Sequence, residues 1–135
     1  MIFDKGFLFY AEFNTRLFWT LLKEKKSLLF ANDLDTLLPN FLVAKISRTP
    51  LVYDSHEYFT EVPELQNRYF VKSFWEKLEA WLFPRLNNVI TVNDKLAEIY
   101  SKKYNVQVTA IRNVPTLIQA ESLKTVEESV NKSHI

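Results

Sequence analysis

A chain of 135 residues, 47% hydrophobic and 15% aromatic, has enough apolar surface for one core and too much for a disordered chain. Seventeen Lys and Arg against sixteen Asp and Glu leave a net charge of +1, so no global field draws the chain to nucleic acid or anionic lipid. Gly6 is the only glycine and there is no Cys, which excludes a glycine-rich phosphate loop, the dinucleotide-binding fingerprint, disulfides and thiolate metal sites. No cofactor is expected. The lack of Cys fits a reducing, cytoplasmic compartment. Neither a secretory leader nor an uninterrupted run of ~18 apolar residues occurs, so a transmembrane segment is not expected.

From Phe7 to Lys26, apolar residues recur at three- and four-residue steps, and Lys23 to Lys26 face the negative end of the predicted helix. Four short apolar runs then read as buried strands: Ser27 to Ala31, Pro50 to Tyr53, Asn88 to Val92 and Val106 to Ile111. Between them, helical spacing covers Pro39 to Ser47, Tyr69 to Leu86 and Asp94 to Tyr104, with Asp94 available as an N-cap. The order α-β-α-β-α-β-α-β predicts an α/β, Rossmann-like parallel sheet of about four strands, covered on both faces. The predicted domain spans residues 1–118, and Gln119 to Ile135 read as a polar tail or loose helix.

In doubly wound sheets, ligands bind beyond the carboxyl ends of the strands. The four predicted tips are polar: Asn32-Asp33-Leu34-Asp35, Asp54-Ser55-His56-Glu57, Asn93-Asp94 and Arg112-Asn113. His56, between Ser55 and Glu57, can offer one ring nitrogen to a ligand while a carboxylate orients the other; the plainer alternative is a loop histidine that caps a turn. Asp33-Leu34-Asp35 imitates a paired-aspartate metal motif, but Asp35 is better explained as the cap of the next helix, with Pro39 near its first turn. No metal is expected. Phe70, Phe74, Trp75, Leu78, Trp81 and Leu82 form a stripe read as core-facing rather than lipid-facing.

Phe9-Tyr10 through Asn14 to Phe18, Leu29 to Pro39 (LFANDLDTLLP), Val52 to Leu65 (VYDSHEYFTEVPEL), Trp75-Glu76 with Glu79, Val89 to Asn93 (VITVN) and Ile111 to Pro115 (IRNVP) occur in that order. Together they resemble the family 4 glycosyltransferases of the GT-B fold, particularly a bacterial branch, over the later part of the N-terminal, acceptor-side domain. The resemblance implies transfer of a hexose from a nucleotide-diphosphate sugar to a hydroxyl of a sugar or lipid-linked acceptor. It implies that His56 projects into the interdomain cleft as the catalytic-site histidine, and that Asn32, Asp33, Ser55, Glu57, Asn93 and Asn113 line the acceptor or donor-sugar site.

Relative to that family, the opening strand with its glycine loop and the donor-binding half are absent here, and Val114 replaces the glycine after Asn113. The chain alone is therefore expected to be inactive. The Ser27 to Ala31 strand would expose an edge, and a homo-oligomer is expected to cover it. Lipid-linked acceptors would bring the protein to the inner membrane face. The competing expectation is a non-catalytic α/β binding module on the same fold. A receiver-like domain ranks last, because its helper lysine is missing from the later strand tips.

Overall fold

Four apolar segments pair side by side in the order in which the chain supplies them. In the computed structural model, which describes residues 2, 6–66 and 68–112, β1 (Leu29–Asn32), β2 (Leu51–Ser55), β3 (Asn88–Thr91) and β4 (Val108–Ala110) form one parallel sheet of order β1-β2-β3-β4. Leu29 pairs with Leu51, Tyr53 with Val89, and Val89 with Val108. The connections are α2 (Leu34–Ser47), α3 (Pro63–Gln66) with α4 (Tyr69–Leu82), and α5 (Asp94–Tyr104); α1 (Gly6–Lys23) precedes β1. The fold is the α/β, Rossmann-like arrangement expected. Asn113 and the tail from Gln119 lie outside the described residues.

Among the described residues, however, helices cover only one face of the sheet. A right-handed crossover that always steps in the same direction sets its helix on the same side each time, and this strand order never reverses. Leu29, Ala31, Tyr53, Ser55, Val89 and Thr91 point to the helix side and are buried. Leu29 packs with Phe18 and Leu22 of α1 and with Val43 and Ala44 of α2. Tyr53 meets Phe83 edge-on at 5.5 Å, and Phe83 stacks on Tyr100 and Tyr104 of α5 at 4.5 and 4.6 Å. On the opposite face, Phe30, Asn32, Val52, Asp54, Asn88, Ile90 and Thr109 alternate with these residues, and none of them is buried.

Four helix ends depart from expectation for local reasons. α2 begins at Leu34, so Pro39 lies inside the helix, not near its start, and Asp35 falls in the first turn without capping it. The ring removes one helical hydrogen bond, a cost of ~3 kcal/mol. Burial of Leu34, Leu37, Phe41 and Val43 offsets that cost, at ~1.5–3 kcal/mol each. α4 stops at Leu82, not Leu86, because Pro84 cannot continue it and the chain tightens into a 3₁₀ turn over Phe83–Arg85. In α5, the cap is Asn93 and not Asp94: Asn93 Oδ1 accepts from Leu96 N at 2.9 Å. α1 ends at Lys23, and Lys26 Nζ bends back to the carbonyls of Leu21 and Leu22 at 2.5 and 3.4 Å.

The predicted core stripe on α4 is split. Trp75 and Leu82 are buried and Leu78 is half-buried, whereas Phe70, Phe74 and Trp81 are exposed. One helix resting on one sheet face buries a narrower arc than the six apolar positions span.

Candidate functional site

The described strand tips of β1 and β2 bring Asp33, Asp54 and His56 together at the carboxyl edge of the sheet. Asp33 links strand to helix with φ 57° and ψ 166°, a region that side-chain-bearing residues occupy only at a cost of ~1–3 kcal/mol. Two contacts hold it there. Its N–H donates to Asp54 O at 2.9 Å, and its Oδ1 accepts from the backbone N–H of His56 at 3.2 Å. The His56 ring is half-exposed, with Nδ1 3.8 Å from Asp33 Oδ1 and Nε2 3.5 Å from Asp54 Oδ2. Those separations are long for hydrogen bonds, so neither ring nitrogen is committed to a carboxylate.

Among the described residues the carboxylates beside the ring are thus those of Asp33 and Asp54, and not that of Glu57, the sequence neighbour. Asp54 is the residue that sequence reasoning left out of the site. Its signal was the alternation of β2, in which Tyr53 and Ser55 turn to the helices and Asp54 to the other face, beside Asn32 across the ladder. Asn32 is exposed there, and its carbonyl accepts from Thr36 Oγ1 at 2.5 Å.

The other predicted residues have different placements. Ser55 is fully buried; its Oγ donates to Glu57 O at 3.0 Å and lies 3.2 Å from Tyr100 Oη. Thr91 Oγ1 donates to Ser55 O at 2.7 Å, which ties β3 to the same tip. Glu57 is exposed, Asn93 spends its carbonyl oxygen on the α5 cap, and the neighbouring Asp94 pairs with Arg112. Asn113 lies outside the described residues. Asp35, in the first turn of α2, has its carboxyl pKa raised by burial and by the nearby charge of Asp33. Among the described residues, no group of three His, Cys, Asp or Glu converges as a metal would need.

Behind the tip lies a polar cluster of which the sequence singled out only Glu79. Glu79 of α4 is fully buried; its Oε1 accepts from Lys103 Nζ at 2.9 Å and from the Tyr104 hydroxyl, while its Oε2 has no partner among the described residues. Lys103 Nζ also donates to Tyr58 Oη at 2.9 Å, two residues beyond His56. Burial opposes the ammonium charge, but hydrogen bonds to Tyr104, Tyr58 and Glu79 outweigh it and raise the lysine pKa. Burial likewise raises the phenol pKa of Tyr53, Tyr100 and Tyr104, and Glu79 adds to the effect at all three.

Because the strand order does not reverse, the described sheet has no switch-point crevice, and the rim is open to solvent. The chain matches no family model and no curated protein.

Proposed function

We propose that the rim formed by Asp33, Asp54 and His56 is the acceptor side of a GT-B glycosyltransferase site, serving transfer of a hexose from a nucleotide-diphosphate sugar to a hydroxyl. The supporting observation is the His56 ring standing between two carboxylates at a strand end, where a sugar hydroxyl can donate to a carboxylate and accept from the imidazole. The motif order that resembles the family supports the same reading. The donor would be held by other residues than these, so the chain alone binds nucleotide sugar negligibly. Asn32 and Glu57 supply further polar contacts at the exposed rim. Its compartment is the cytoplasm, where nucleotide sugars are made.

Titration of the labelled protein with candidate acceptor glycans is expected to shift the amide resonances of Asp33 and His56, and His56→Ala is expected to weaken binding roughly tenfold. Nucleotide sugar alone is expected to shift neither. Tight nucleotide-sugar binding by this chain, or glycan binding indifferent to His56→Ala, would overturn the assignment. The second reading, a non-catalytic binding module, is favoured by two predicted site residues, Ser55 and Asn93, which serve internal contacts instead. A neighbouring reading frame with a strand-helix pattern and paired glutamates would decide for the transferase.

A second copy of the chain is the expected partner at the β1 edge. Leu29 N donates to Pro50 O and Asp33 N to Asp54 O, both at 2.9 Å, so the backbone groups of Phe30 between them point away from β2. Leu28 to Asn32 carry none of the charges or prolines that guard natural edges, and Leu28 and Phe30 are about half exposed. Light scattering at micromolar protein is expected to give a dimer that Phe30→Lys dissociates; a strictly monomeric wild type would contradict this.

A further inference from the structure

We infer that the N-terminal turns of α1 and α4 dock on the surface of an anionic lipid bilayer, with one hydrocarbon chain entering the groove between the two helices. The groove encloses about 850 Å³, within the ~300–1,000 Å³ of small-molecule sites. Its walls are apolar: Phe9, Tyr10, Leu38, Val71, Trp75 and Leu78. Two of the polar side chains in the lining are already bonded within α1. Asn14 Nδ2 donates to Tyr10 O at 2.9 Å, and Thr15 Oγ1 donates to Ala11 O at 2.7 Å.

Charge selects the head group. Arg68 is the one charged residue in the lining; it is exposed, and its guanidinium has no partner among the described residues. Among the described residues no acidic side chain lines the groove, so a lipid phosphate at its mouth meets a positive group there. Around it stand Phe7, Tyr69 and Phe70, exposed to 64%, 78% and 88%, and Phe74, which meets Phe7 edge-on at 5.5 Å. Scattered exposed apolar residues need no explanation, but four aromatic rings grouped beside an exposed arginine at the ends of adjacent helices have the composition of a bilayer interface. The groove's occupant is independent of what the His56 rim binds.

A variant carrying Trp19→Phe and Trp81→Phe leaves Trp75, on the groove wall, as the sole tryptophan. With vesicles of phosphatidylcholine containing phosphatidylglycerol, cosedimentation is expected, and acyl-brominated lipid is expected to quench Trp75. Phe70→Ser, at a position too exposed to endanger folding, is expected to weaken partitioning roughly tenfold. Arg68→Gln is expected to lose about fivefold on phosphatidylglycerol vesicles and nothing on pure phosphatidylcholine. Absence of cosedimentation, binding indifferent to Phe70→Ser, or binding with Trp75 unquenched would each overturn the inference.

Discussion

Lys103→Met is expected to destabilise the protein by about 3 kcal/mol, read as a lower urea midpoint at unchanged slope. Glu79 is fully buried, and Lys103 supplies its only cationic contact among the described residues. Without the ammonium, the carboxylate keeps one donor, the Tyr104 hydroxyl, in surroundings that cannot hydrate it. Breaking a buried pair from one side costs ~3–5 kcal/mol, and the partial exposure of the lysine places this case at the lower end. Adding Glu79→Leu should restore most of the loss, since no charge then remains inside. Lys103→Met also frees Tyr58, two residues beyond His56, so the acceptor binding proposed at that rim is expected to weaken. A midpoint unchanged by Lys103→Met would show that water already compensates Glu79.

Above pH 10, the protein is expected to lose stability steeply and unfold in one step. Tyr53 and Tyr100 are fully buried, and burial holds both phenols above their ordinary pKa. In the unfolded chain they titrate near ~10, so above that pH the unfolded state binds fewer protons than the folded state, and stability falls as pH rises. Two such groups give ~2.7 kcal/mol per pH unit. Half-buried Tyr104 and the raised Lys103 act in the same direction with smaller weight. Below pH 10 these groups contribute their full stability. Phenolate absorbance from them should therefore rise together with loss of the helical circular dichroism signal, and Tyr100→Phe should make the transition shallower. Phenolates that form while the helices persist would show that the rings are reachable by solvent in the folded state.

Much of this architecture was legible from local pattern. The strands announced themselves as short apolar runs, and polar tips such as Asp33 and His56 fell where a parallel sheet places ligands. What escaped depended on partners distant in sequence. Glu79 sits four residues after Trp75 and three before Leu82, on the buried arc of α4, but nothing nearby in the sequence reveals that Lys103 and Tyr104 receive it. Pro39 misled for the opposite reason: its local preference for a helix start was overridden by the burial of Leu34 and Leu37 ahead of it. Asp54 was passed over because its role depends on which way β2 turns its alternate residues. One-sided coverage was not read from helix lengths, because the order of strands in space, not their spacing in the chain, decides it.

That one-sidedness bears on the thermodynamics of melting. Phe30 is exposed and Val52 and Ile90 keep part of their surface in water, so among the described residues unfolding hydrates less new apolar area on that side than in a sandwich of three layers. The heat-capacity increment is correspondingly small and the curve of free energy against temperature broad, with a gentle fall toward both cold and heat.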